Sequence, residues 1–326
     1  MRPLDDFSLF IFNLQYRMKR INNSITNICI KALAQSMNTN VMTVLARKIA
    51  PNYDLHSRLG FPRSMAIANQ DAARQILTDM IKNDYFIDFV VLMIEAENSG
   101  LMGRKYSIPY MNEIVSGIFE LGYIYDAANK LFVEDPRYST TRNWGVLRQG
   151  QEYSFTFMRI DIAESSAIVR ENPEKNVQKA YKYLREITNK SVLKRNGRIW
   201  SWDGDGGLAS FFFGNKQQCA IMAGKEILHE LFFYNYLDCP LTEPLRIRLA
   251  VHSGPFEYSH DEEELKACEA VKKVIEIESR FTKPGTMTIS QAVKVTLDSI
   301  SGIGIKLLQG KGATKYYNYE FKLESK

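Results

Sequence analysis

Arg198-Ile-Trp-Ser-Trp-Asp-Gly-Asp-Gly-Gly-Leu-Ala-Ser-Phe211 is the stretch whose reading decides the fold. Two short β-rich runs, Arg198–Trp202 and Leu208–Phe213, flank Asp203-Gly204-Asp205-Gly206-Gly207. Asp-Gly between such flanks signals a hairpin, because tight turns between twisted strands need positive φ at their centre. Alone, this is also compatible with an ordinary hairpin that has a solvated acidic tip. Upstream, Phe155-Thr-Phe-Met-Arg-Ile-Asp-Ile162 is a second strand-like run that sets Asp161 between two isoleucines and leads into the polar Ala163-Glu-Ser-Ser166. A carboxylate beside strand-core residues is costly without a partner. Two carboxylates on adjacent strands repel each other unless a cation lies between them. A divalent metal held by Asp161 and Asp205 answers both demands.

Outward from these two acids, further segments follow in order: Met158-Arg-Ile-Asp-Ile-Ala-Glu-Ser-Ser166, Gly197 to Phe211, Arg246-Ile-Arg-Leu-Ala-Val-His-Ser-Gly254, Lys283-Pro-Gly-Thr-Met-Thr-Ile-Ser290 and Leu308-Gln-Gly-Lys-Gly-Ala-Thr-Lys-Tyr-Tyr317. Together they resemble the successive core segments of a class III nucleotidyl cyclase domain, over about the last 175 residues. The resemblance implies a ferredoxin-like α/β sandwich. It also implies two divalent cations, Mn²⁺ or Mg²⁺, on Asp161, Asp205 and the Ile162 carbonyl, and a nucleoside triphosphate as substrate. In this family the metal aspartates of one protomer face the transition-state helix of the other, which implies a C₂ homodimer with shared sites.

Carried over residue by residue, the match thins. Glycine is usual in the family where Glu164 stands. Ser165 and Ser166 follow it, where backbone N–H groups favour phosphate oxygens; either serine could equally cap the helix. Adenylate cyclases of the family carry lysine at the position of Ser201, three residues before the Gly204-Asp205 pair. The base-reading partner falls near Leu265. Serine is too short to reach a purine edge, and leucine offers no hydrogen bond. A short hydroxyl suits a pyrimidine at least as well, so the resemblance extends to the pyrimidine cyclases of bacterial anti-phage signalling, while the family at large favours ATP. Trp200 and Trp202, on either side of Ser201, are expected on the face opposite it. The transition-state asparagine and arginine align with Lys272, or Lys273 one residue on, and with Glu276. Lysine can supply positive charge there; glutamate cannot. Lys311 and Lys315 lie beside glycines near the C-terminus and could touch the triphosphate. Asp203 is either a supporting acid or a solvated turn residue, and Phe211-Phe-Phe213 reads as core and interface.

The chain has 326 residues, enough for two domains. A net charge of +5 from 42 basic and 37 acidic residues is mild and dispersed, and does not argue for nucleic acid. Four separated cysteines, Cys29, Cys219, Cys239 and Cys268, without a Cys-x-x-Cys pair, read as reduced thiols of a cytoplasmic protein. Phe86–Ile94 is too short to span a bilayer and carries Asp88. Phe7–Leu14 follows two aspartates and lacks a small-residue cleavage site, so it does not read as a signal peptide.

The expected organisation is α+β: a helical accessory domain at 1–135, a Pro- and Gly-punctuated linker at 136–152, and a cyclase-like domain at 153–326. Helices are expected over Ile21 to Ala46, from Asn69 towards Glu97 with Asn69 or Asp71 as cap and a break near Asn83-Asp84, and over Tyr110 to Leu121. The first half could form a winged-helix-like or purely helical module. No dense basic recognition helix is visible, so a regulatory or dimerising role is the expectation there. An alternative for the whole chain is a catalytically silent cyclase-like domain that binds nucleotide and signals through its helical half.

Overall fold

In a computed structural model of the chain, residues 21–308 and 314–322 are described, apart from 128, 139 and 260. Phe7–Leu14 and Lys311 lie outside the described residues. The chain divides into two compact units, Met1–Val146 and Leu147–Lys326.

The first unit is helix-rich: α1 (Asn23–Ser36), α2 (Thr39–Arg47), α3 (Leu55–Leu59), α4 (Asn69–Lys82), α5 (Phe86–Asn98) and α6 (Met111–Glu120). A two-stranded antiparallel hairpin, β1 (Tyr123–Asp126) with β2 (Leu131–Glu134), follows. Asn22 and Asn38 cap the first two helices by accepting from Ser24 N and Val41 N, as short polar side chains do at helix starts. The expected cap of α4 is different: Ala68 stands at the cap position without a side-chain bond, and Asn69 Oδ1 instead accepts from Thr39 N at 3.2 Å. The expected break after α4 is made by Asp84, which adopts φ +62°. Trp144, within the polar stretch after β2, is fully buried.

The second unit runs β3 (Glu152–Ile162), α7 (Ser165–Glu171), α8 (Glu174–Leu193), β4 (Arg198–Asp203), β5 (Gly206–Phe211), α9 (Lys216–Leu237), β6 (Ile247–Glu257), α10 (Glu262–Ala267), α11 (Glu269–Phe281), β7 (Thr286–Ser290), α12 (Gln291–Lys294), β8 (Lys306–Leu307) and β9 (Tyr316–Glu320). Its sheet has the order β4-β5-β3-β6-β7-β9-β8, with only β6 and β7 parallel. The β3-α-β4-β5-α9-β6 portion, paired as β4-β5-β3-β6, is the split βαβ arrangement of ferredoxin-like sandwiches.

Strand alternation gives β3 two different faces. Met158, Ile160 and Ile162 join Ala180, Leu184 and Ile187 of α8 and Ala220, Ile221 and Ile227 of α9 in one core. The opposite face carries Phe155, Phe157, Arg159 and Asp161. There Phe155 and Phe157 meet Trp200 at ring-centroid distances of 5.0 and 5.6 Å, and α11 packs against β3 and β6.

The hairpin departs from expectation in two ways. Its turn is tighter: Asp203 pairs with Gly206, leaving Gly204-Asp205 as a two-residue loop. Gly204 takes φ +52° at the first central position, where a primed turn favours glycine. The register also shifts between Ile199 and Ser201. This bulge adds Trp200 to the aromatic face while Trp202 packs with the α8 and α9 core, so the two tryptophans point to opposite faces rather than together. An extra residue in one strand reverses the side-chain alternation beyond it.

Candidate active site

Asp161 and Asp205 come together at the same end of the sheet. Asp161 pairs with Gly206 across β3 and β5, and Ile162 N donates to the Asp205 carbonyl at 3.0 Å. Gly206 makes this approach possible: a Cβ there would lie 2.7 Å from the Ile160 carbonyl oxygen and 3.1 Å from Asp161 Oδ1. Ser165 Oγ donates to Asp205 Oδ2 at 2.6 Å. Ser165 therefore positions a carboxylate instead of capping α7, whose cap residue Glu164 (φ 59°) makes no side-chain bond. Ser166 is exposed. The Glu164 carboxylate turns towards Arg246 at 3.7 Å.

Three charged residues beyond those read from the sequence complete the cluster. Arg248 on β6 stands opposite Asp161 in the ladder, and its guanidinium bonds Asp161 Oδ2. Its Nε lies 2.6 Å from Glu278 Oε1 on α11. Arg159 reaches Asp161 Oδ1 at 3.7 Å. Asp161 and Glu278 are only 14% and 6% exposed as side chains, so the two arginines carry most of their compensation. Burial first, then Asp161, push the Glu278 carboxyl up, against the opposing pull of Arg248 and Arg159.

The sequence offers signals for these residues. Arg159 and Asp161 are two apart on one strand, hence on one face. Glu278 falls on the buried stripe of α11 with Val271, Val274 and Ile277, where a charge needs a partner.

The two lysines that align with the family's transition-state position are arranged otherwise than the aspartates. Lys272 Nζ sits 3.2 Å from Glu269, and Lys273 Nζ 2.8 Å from Glu276, all on α11. Glu276 also meets Arg280 at 3.5 Å. Lys273, foremost, holds the Glu276 carboxyl below the usual range. In the base region, Ser201 shares a register row with Leu208 and Arg159, which puts it on the face of the aspartates. Leu265 is buried in α10 and offers no polar contact. Asp203 and Lys315 are exposed.

The donors at this end of the sheet, two carboxylates and the neighbouring carbonyls, are the hard oxygens that Mg²⁺ and Mn²⁺ take. Among the described residues no group of three or more His, Cys, Asp or Glu could hold a metal by itself, so any cation here depends also on oxygens from water or substrate. Tyr181 on α8 adds a polar group without a partner: its hydroxyl is buried and unbonded. Burial first, then the carboxylates of Asp205 and Asp161, push that phenol up. An unpaired buried hydroxyl within the field of two aspartates fits a site that is completed by a ligand. A separate open cleft, lined by Arg195, Met222, Lys225, His229 and Phe233 among others, includes none of these residues. No helix among the described residues is long and apolar enough to cross a membrane.

No family model and no curated protein matches the chain. Among solved structures it is similar to the guanylyl cyclase domain of the RhoGC fusion protein from the aquatic fungus Blastocladiella emersonii, at 17% identity over 53% of this chain and 97% of that one, with a TM-score of 0.44. It is similar also to the adenylyl cyclase CyaB from P. aeruginosa, at 16% identity over 54% of this chain and 96% of that one, TM-score 0.44. A third is the adenylate/guanylate cyclase/hydrolase from Silicibacter pomeroyi, at 21% identity over 53% of this chain and 99% of that one, TM-score 0.42.

Proposed function

We propose that the second unit is a metal-dependent nucleotidyl cyclase that converts a nucleoside triphosphate to a 3′,5′-cyclic monophosphate and pyrophosphate. The observation that carries this reading is Asp161, near the end of β3, lying beside the β4–β5 turn that bears Asp205, with Ser165 fixing one carboxylate and arginines balancing the other. In the reaction the O3′–Pα bond forms, the bond from Pα to the β-phosphate oxygen breaks, and the 3′-hydroxyl proton leaves. Cations bound on Asp161, Asp205 and the Ile162 carbonyl would lower the pKa of that hydroxyl and neutralise the triphosphate. The chain's own groups orient the phosphates: Arg246 just before β6, Arg248 on β6 and Arg159 on β3 bring three guanidiniums to this end of the sheet, and guanidinium matches phosphate by its forked donors. Lys315 and Lys311 are further candidates for the triphosphate.

Lys272 and Lys273 are assigned to the transition state of a neighbouring protomer in a head-to-tail homodimer, where they would exchange Glu269 and Glu276 for the pentavalent phosphorus. Ser201, with Gly204 in the adjoining turn, is assigned to the base. A hydroxyl there favours UTP or CTP on residue chemistry, and the family resemblance favours ATP. A pyrimidine product would place the protein beside the anti-phage cyclases it resembles. Incubation of the purified chain with each of the four NTPs and Mn²⁺ tests the proposal: a cyclic product from at least one base is expected, and none from any base overturns it.

Glu276 motivates a second reading. An acid at the position of the transition-state arginine, engaged with Lys273 and Arg280, suits a domain that binds nucleotide without turning it over. Metal-dependent NTP binding with no product would favour that reading.

A further inference from the structure

We infer that Arg248 is a latch on Asp161, tethered by Glu278, so that cation and nucleotide load together rather than one after the other. The inference rests on the cyclase reading of Asp161 and Asp205. The guanidinium of Arg248 bonds Asp161 Oδ2, an oxygen that a cation would need, while Arg159 stands 3.7 Å from Oδ1. A divalent ion approaching Asp161 therefore meets two positive groups, and beside a carboxylate only 14% exposed their repulsion is poorly screened.

Arg248 has somewhere to go. Its Nε is 2.6 Å from Glu278 Oε1, an ion pair that lacks the alignment of a hydrogen bond, so the Nη end can leave Asp161 while charge attraction keeps the guanidinium beside Glu278. The group that draws the Nη end away must be an anion at this end of the sheet, and a triphosphate supplies one. In exchange, a carboxylate is released to the cation that accompanies it. Glu278 thus acts as a positioning residue: it keeps the displaced guanidinium beside the site instead of letting it swing into solvent. Coupling of this kind is reciprocal, so Mn²⁺ raises nucleotide affinity by the factor by which nucleotide raises Mn²⁺ affinity.

The test is binding of Mn²⁺ alone, and of a non-hydrolysable triphosphate with Mn²⁺, by calorimetry and by the electron paramagnetic resonance signal of free Mn²⁺. With Arg248→Met the latch is gone. Mn²⁺ alone is expected to bind about tenfold tighter, the size of effect that follows from removing a cation beside a carboxylate, while triphosphate binding weakens. A purely structural role for Arg248 would weaken both, and that result overturns the latch. Where Arg248→Met does not fold, Arg248→Lys keeps the charge but serves one carboxylate at a time, and a smaller change in the same opposed directions is expected; parallel losses overturn the inference. Asp205→Ala is the control. If it leaves Mn²⁺-triphosphate binding intact, the cyclase reading itself fails. If it abolishes binding while the Arg248 variants move both affinities the same way, only the latch fails.

Discussion

Arg248 and Asp161 face each other across β6 and β3, and the guanidinium of the first occupies a carboxylate oxygen of the second. Arginine and carboxylate so placed form a strong, directional pair. The same geometry puts a structural ion pair and a candidate metal ligand on one side chain.

Ser165 reaches Asp205 Oδ2 at 2.6 Å. Removing a hydrogen bond to a charged group costs about 1.5–3 kcal/mol, and here the loss falls on the orientation of a ligand carboxylate. Ser165→Ala is expected to weaken Mn²⁺-triphosphate binding about tenfold or more, with a melting temperature little changed. Calorimetry beside thermal unfolding distinguishes this from a folding defect.

Gly206 has no room for a side chain, because its Cβ would stand 2.7 Å from the Ile160 carbonyl oxygen. Gly206→Ala is expected to destabilise the second unit by about 1–3 kcal/mol, the usual cost of overpacking. It should also push the turn bearing Asp205 away from β3. Urea unfolding measures the first effect and loss of Mn²⁺-triphosphate binding the second.

Tyr181 carries a buried hydroxyl with no hydrogen-bond partner. Deleting an unpaired polar atom is neutral or stabilising, so Tyr181→Phe is expected to leave the melting temperature unchanged or raised. A clear drop would show that the hydroxyl is bonded in the unliganded protein.

Two partly buried histidines, His252 and His229, contribute to the acid side of stability. Burial foremost, aided by Lys273, pulls His252 below its ordinary value of 6.5, and burial with Lys225 does the same to His229. His252 Nδ1 is 2.8 Å from Ser290 Oγ, and His229 Nε2 is 2.7 Å from the Tyr319 hydroxyl. A depressed histidine binds its proton better in the unfolded chain, so its contribution is complete above about 6.5 and is lost as pH falls below that value. The melting temperature is expected to decline from pH 7.5 to 5.5, and less steeply in His252→Gln.

Much of this site was legible in the residues themselves. The alternation in Phe155–Ile162 and the acidic turn after Trp202 put Asp161 and the Asp205 turn on neighbouring segments, whereas Ser165 read as a phosphate-side or capping residue and its bond to Asp205 did not show. What the sequence hid was set by partners distant in the chain. Arg248 reads as one of several charges until β6 is laid against β3, and Glu278 until α11 is laid on β6. The bulge that parts Trp200 from Trp202 is a pairing irregularity, which local alternation cannot reveal. Asn69 failed as a cap because Thr39, thirty positions away, claims its side chain at 3.2 Å.

The central claim is that the carboxylates of Asp161 and Asp205 together grip the cations of a bound triphosphate. Pyrophosphate release from each NTP with Mn²⁺, compared among the unaltered chain, Asp161→Asn and Asp205→Asn, tests it most directly. Release by the unaltered chain with its preferred base, and its loss in either variant at an unchanged melting temperature, is the expected result. Undiminished release in either variant would contradict the account.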